Sequence, residues 1–175
     1  MTDNQSSTHY KRHSHVMTIH TMEIRYAREI CEWAYEEPFD IFNWPSWEKM
    51  QKDGIEFGDS VLREEQYAAV LGGSNELIGF AQFFPITGVT RLGLGLRPDL
   101  CSQGLGPAFI RTIFREAIRR APWNEIDLEV LAWNTRAIRA YERAGFRITD
   151  TYSRGTPRGF AEFHCMVYDP ETAEV

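Results

Sequence analysis

"LCSQGLGPAF", residues 100–109, stands where a run of strand character, "VTRLGLGLR" (89–97), gives way to a run of helical spacing. Gly104 and Gly106 flank Leu105 at that junction. Glycine lets a chain turn tightly and lets another molecule come close to the main chain. A helix beginning here also leaves N–H groups without intrahelical partners, and those suit an anion such as a phosphate. Two readings stand at this point, an ordinary glycine turn and an anion cradle. A G-x-G turn alone does not choose between them.

Working outward, residues 104–120 carry Leu105, Phe109, Ile113 and Ala117 on one stripe, with Ile110, Phe114 and Ile118 beside it. That spacing predicts a half-buried helix, and Pro107 fits because it falls in the first turn. "EIDLEVLAW" (125–133) reads as a strand, "NTRAIRAYERAG" (134–145) as a helix, and "FRITDTYSR" (146–154) and "FAEFHCMVY" (160–168) as strands. Upstream, "EQYAAVLG" (65–72) and "ELIGFAQFFPI" (76–86) flank the hairpin-turn composition "GSN". With 89–97 they form a three-stranded meander, in which Gly93 and Gly95 imply a bulge or a close approach. A short strand is expected at 16–19, an amphipathic helix over 21–36, and a second short helix opened by Pro45 through Trp47 and Met50. The order mixes antiparallel hairpins with a crossover, which gives an α+β or mixed α/β sheet. The meander speaks against a doubly wound dinucleotide fold.

Length and composition narrow the function classes. One domain over 16–170 is expected from 175 residues, with 43% hydrophobic and 25% charged side chains. The polar stretch 1–15 reads as a disordered tail, and its His9, His13 and His15 lack the carboxylates or thiols that complete a metal site. No metal is therefore expected. No apolar stretch approaches the roughly 20 residues of a membrane span, and no signal-peptide region precedes the domain, so no membrane partner is expected. Cys31, Cys101 and Cys165 lie far apart, which points to a reducing cytoplasm. The net charge of −6 argues against nucleic acid and favours a cationic partner.

Aromatics crowd "WAYEEPFDIFNWPSWEKM" (33–50), which holds Trp33, Tyr35, Phe39, Phe42, Trp44 and Trp47. Such a segment either seals the core or lines a pocket, since both need the same residues. Tyr35, Phe39 and Phe42 are the candidates for a substrate-binding wall, with Glu36, Glu37 and Asp40 suited to an ammonium group.

The helix at 134–145 is bounded by its caps, Asn134 at the start and Gly145 at the end. Ala137, Ile138, Tyr141 and Ala144 make its apolar face, which puts Tyr141 on or beside the core. Together, "LRPDLCSQGLG" (96–106) and "LEVLAWNTRAIRAYERAGF" (128–146) resemble the two signature blocks of the GCN5-related N-acetyltransferases. Leu96, Pro98, Gly104, Gly106, Asn134, Ala137, Tyr141, Gly145 and Phe146 match that pattern in register. The resemblance implies a mostly antiparallel, twisted sheet of about seven strands, splayed between the fourth and fifth and flanked by about four helices.

It also implies a cosubstrate, acetyl-CoA, with its pyrophosphate on the main chain of Ser102, Gln103, Gly104, Leu105 and Gly106. Leu94 and Leu96 would offer backbone hydrogen bonds to its arm, and Asn134 would touch it. Tyr141 matches the usual general acid, which protonates the departing sulfur; a phenol of ordinary pKa about 10 suits that role. Glu129 is the candidate base, a position where the similar ribosomal-protein N-terminal acetyltransferases carry a glutamate. A carboxylate paired with an arginine on the same sheet is the alternative for Glu129. Cys101 departs from the pattern, which has Arg or Gln there. It is either a neutral replacement or a thiol activated by the helix start. The resemblance thus implies acetyl transfer to an amine, either a small molecule or a protein N-terminus or lysine, by a monomer or homodimer. A non-catalytic acyl-CoA-binding or protein-interaction domain of the same fold is the rival.

Overall fold

The computed structural model describes residues 16–171. The expected tail at 1–15, with its three histidines, lies outside the described residues. Among the described residues seven strands occur: β1 (Thr18–Thr21), β2 (Tyr67–Leu71), β3 (Leu77–Ile86), β4 (Val89–Leu96), β5 (Glu125–Leu131), β6 (Phe146–Thr156) and β7 (Gly159–Tyr168). They form one sheet in the order β1-β2-β3-β4-β5-β7-β6. The meander β2-β3-β4 is antiparallel and β4 runs parallel to β5, the mixed sheet expected from the order of elements.

Among the described residues five α-helices accompany the sheet, where about four were expected: α1 (Ile24–Cys31), α2 (Trp47–Asp53), α3 (Ser60–Glu65), α4 (Gly106–Arg120) and α5 (Thr135–Arg143). The helix expected over 21–36 is shorter than its spacing suggested. It stops at Cys31, and the chain from Trp33 onward leaves the helical path to carry aromatics in several directions. Ser46 caps α2 by accepting from the Lys49 N–H at 3.3 Å. The overlooked α3 has its own cap, Asp59, whose carboxylate accepts from Val61 and Leu62 at 2.8 and 3.0 Å.

Strand alternation sends apolar side chains to both faces. Ala68 and Val70 of β2 join Ala81, Phe83, Leu92, Ile126, Leu128 and Val130 under α4, which contributes Phe109, Ile110, Ile113 and Ala117. Tyr67, Ala69 and Leu71 face the other way, toward Tyr26, Ala27 and Ile30 of α1, Trp47 and Met50 of α2, and Phe57. A strand buried on both faces reads as one apolar run, as "YAAVL" does. Each such fully buried Phe or Ile contributes about 1.5–3 kcal/mol.

Gly95 causes no bulge, since β3 and β4 keep one register throughout. A Cβ there would lie 2.4 Å from the Phe80 ring, so the close approach is that of a core side chain.

Candidate active site

Parallel pairing between β4 and β5 is brief. It joins Val89, Thr90, Arg91 and Leu92 to Glu125, Ile126, Asp127 and Leu128, and stops there. β4 runs on to Leu96 and β5 to Leu131 without further pairing, so the two strands part. The Arg97 N–H donates to the Ile78 carbonyl at 2.8 Å, so the main chain of Arg97 turns toward β3. In an antiparallel ladder this direction alternates, and the N–H and C=O of Leu94 and Leu96 therefore turn toward the gap. One of these groups is engaged: the Tyr35 hydroxyl donates to the Leu96 carbonyl at 2.8 Å.

The glycine turn follows directly. Ser102 and Gly104 have φ of +63° and +80°, and helix α4 begins at Gly106, two residues later than its stripe suggested. The two glycines serve different ends. A Cβ on Gly104 would meet nothing within 4 Å, so its turn faces open space. A Cβ on Gly106 would lie 3.1 Å from the Ala140 Cβ, so that glycine also lets α4 approach α5. Gln103 is tied to the turn by donating to the Asp99 carbonyl at 2.6 Å. Leu105 takes the N-cap position of α4. Cys101 lies half-buried, with Sγ 3.7 Å from the Leu96 carbonyl and 3.6 Å from that of Arg97. Burial pushes its thiol pKa up, against the reading of an activated thiol.

Asn134 is buried and caps α5, its Oδ1 accepting from the Ala137 N–H at 3.2 Å. Tyr141 packs against the core cluster beneath α4 and α5, edge-on to Phe146 at 6.3 Å between centroids. Burial pushes its phenol up to about 12. Among the described residues nothing hydrogen-bonds its hydroxyl, which leaves the proton free for a ligand.

Glu129 lies on the opposite face of the sheet, since it alternates with the core residues Leu128 and Val130. Its carboxylate accepts from Arg91 Nη1 at 2.8 Å, from Arg154 Nη1 and from the Tyr152 hydroxyl. Arg91 also holds the buried Asp127 through two bonds, at 3.0 and 2.6 Å. The arginine-paired alternative is thus what the geometry displays. Three of the roughly four acceptor sites of this carboxylate are thereby occupied. The partners Tyr152 and Arg154 were missed in the sequence because they reach Glu129 from β6, across β7.

The aromatic segment divides. Trp33, Trp44 and Trp47 pack with the core around Phe57 and Phe80. Phe39 and Phe42 instead pack on Trp133, just past β5, at 5.6 and 6.4 Å between centroids. The Arg136 guanidinium sits 4.0 Å above the Phe39 ring. Asp40, an expected ammonium partner, is instead paired with Arg158 of the β6–β7 turn, Nη1 to Oδ1 at 3.1 Å. Trp133 and Arg136 went unnoticed in the sequence, although both fall within the second signature block.

Residues 27–146 match the acetyltransferase (GNAT) family, more than half of the chain and both signature blocks. The chain belongs to the GNAT acetyltransferase family. Solved structures share its fold at low identity. A spermidine N-acetyltransferase chimera of Vibrio cholerae SpeG and hSSAT superposes with a TM-score of 0.69 at 14% identity, covering 87% of this chain and 94% of that one. The Vibrio cholerae spermidine N-acetyltransferase in complex with CoA and spermine gives 0.65 at 16%, covering 89% and 96%. The ribosomal-protein-S18-alanine N-acetyltransferase of Escherichia coli gives 0.59 at 22%, covering 91% and 96%. Among the described residues, no helix of this GNAT protein is long and apolar enough to cross a membrane.

Proposed function

We propose that this GNAT protein transfers an acetyl group from acetyl-CoA to a primary amine by direct attack. The observation that carries the reading is the parting of β4 from β5 beside an outward-facing glycine turn. A main-chain edge turned into a gap recognises an extended amide-bearing arm, and N–H groups at a helix start suit a pyrophosphate. The residues fit acetyl-CoA on those grounds. Leu94 and Leu96 would hold the arm, and Ser102, Gln103, Gly104, Leu105 and Gly106 the phosphates. Asn134 would sit alongside, its carbonyl oxygen already spent on the cap.

In the transfer the amine nitrogen bonds to the acyl carbon as the carbon–sulfur bond breaks. Tyr141 supplies the proton to the leaving sulfur, and its unpaired hydroxyl supports that role. Glu129 takes one proton from the incoming ammonium once that group has replaced the Tyr152 hydroxyl on its Oε1, and the second proton, shed by the nitrogen after attack, passes back to the Tyr141 phenolate. The acceptor is a small amine, a protein N-terminus or a lysine side chain. The related structures named above are spermidine N-acetyltransferases and a ribosomal-protein-S18-alanine N-acetyltransferase, which supports both a small amine and a protein as acceptor.

Release of free thiol from acetyl-CoA across a panel of polyamines, peptides and lysine derivatives tests the reaction. Thiol release above the buffer rate with at least one amine is expected, and acetyl-CoA binding without turnover on any would leave a binding domain only. Gly104→Asp tests the cradle. Aspartate is one of the side chains that visits a positive φ at modest strain, and its Cβ meets nothing here; circular dichroism checks that the variant is folded. Acetyl-CoA affinity should fall about tenfold or more, from like charges at close range. Unchanged affinity in calorimetry would remove the phosphates from this turn.

A further inference from the structure

Residues 35–43 touch three separate parts of the molecule around the open end of the gap. At one lip the Tyr35 hydroxyl meets the Leu96 carbonyl of β4. At the other lip Phe39 and Phe42 rest on Trp133, beyond β5, with Arg136 over Phe39. On the far side Asp40 pairs with Arg158 in the turn between β6 and β7. The segment is also closed upon itself. The Asn43 side chain accepts from the Tyr35 N–H at 2.7 Å and donates to the Tyr35 carbonyl at 3.3 Å. One amide thus joins the two ends of a nine-residue loop, and its contact with Tyr35 adjoins the anchor on Leu96.

From this geometry we infer that residues 35–43 form a preassembled bridge across the mouth of the gap, and that Asn43 is the positioning residue that holds it. The inference rests on the acetyltransferase reading, in which an acceptor amine enters at this mouth. Asn43 touches neither partner of the reaction. Its effect passes through Tyr35 to Leu96 and through the loop to the Phe39 and Phe42 rings. A bridge set in advance spares the acceptor the entropy of ordering the loop when it binds. Loosening it raises the amine KM and leaves the chemical step alone.

Asn43→Ala and Tyr35→Phe, alone and together, test this in the full chain. Each single variant should raise the amine KM about fivefold, the scale of one or two lost hydrogen bonds. In Asn43→Ala, kcat and acetyl-CoA affinity stay within about twofold, a split that a purely structural role would not produce. Because both residues act through one link, the double variant should be no worse than the poorer single one. An unchanged KM in Asn43→Ala, or effects that multiply in the double variant, would overturn the inference. Hydrogen exchange of residues 35–43 is followed in parallel. If the parent acetylates no amine, the acetyltransferase reading falls and exchange still decides the bridge. Protection in the parent that is lost in Asn43→Ala upholds it, and equal protection in both overturns it.

Discussion

Beneath α4 and α5, Tyr141 presents a hydroxyl with no hydrogen-bonding partner among the described residues, inside an environment that holds its proton tightly. On the opposite face of the same sheet, Glu129 has three donors on two oxygens, and neighbouring Asp127 is gripped by Arg91. A side chain that already meets its needs stabilises the fold and resists new work. Tyr141 is only half-buried, so its hydroxyl is open to a ligand or to water and carries no such tie to the fold. The two faces therefore differ, one tied together by ion pairs and the other presenting a hydroxyl without a partner among the described residues.

Arg91 offers the strongest way to break this contrast. It joins β4 to β5 at the Arg91–Asp127 register pair, one step before the pairing ends. Arg91→Ala strands Asp127 in a buried place, where among the described residues its remaining side-chain hydrogen-bond partner is the Cys165 thiol at 3.7 Å. The expected loss is about 3 kcal/mol, the lower end for breaking a buried pair because Arg91 itself is partly exposed. Chemical denaturation measures it. Replacing both partners, Arg91→Met with Asp127→Leu, should restore most of that stability. A single variant as stable as the parent would show that this face does not staple the strands.

Tyr141→Phe probes the other face. The hydroxyl leaves no protein partner behind, so the melting temperature should hold or rise slightly. Turnover should fall about 10²-fold, with acetyl-CoA binding intact, because only the proton donor is lost. A rate within about twofold of the parent would make Tyr141 a packing residue. A large drop in melting temperature with the rate preserved would reverse the division between the faces.

Sequence legibility follows the range of the forces involved. The Asn134 cap and the positive φ of Gly104 and Gly145 are local, so residue type alone announced them. The succession of strands and the β2-β3-β4 meander followed from turn composition and alternation, whereas the place of β7 between β5 and β6 did not. The Asp59 cap was equally local, and "GDSVLREEQ" (58–66) carried a helix signal that went unread. Other features are tertiary. Nothing near Gly106 in sequence reveals that Ala140 lies against it, and nothing near Glu129 reveals Arg154 arriving from another strand. Trp44 and Phe42 are two positions apart, and only the packed sheet decides that one enters the core and the other rests on Trp133.

That last pair of neighbours gives the smallest effect, where the two faces meet at the mouth of the gap. Phe39 contacts Trp133 and lies under Arg136, and it is half-buried with no part in the core around Phe57. An aromatic pair of this kind is worth about 0.5–1.5 kcal/mol beyond the area it buries, and a cation over its face about 0.5–1 kcal/mol when exposed. If those rings form the acceptor wall, Phe39→Ala should raise the amine KM about fivefold, an energy of roughly 1 kcal/mol. Acetyl-CoA affinity and kcat should barely move, because neither the glycine turn nor Tyr141 is touched. Trp44→Ala is the control. It removes a half-buried ring packed on Phe57 and Phe80 and should cost about 2–3 kcal/mol in stability, with the KM of the folded fraction unchanged. Should Phe39→Ala instead behave like Trp44→Ala, losing stability and keeping its KM, the rings at the mouth would be core and the acceptor would have to enter elsewhere.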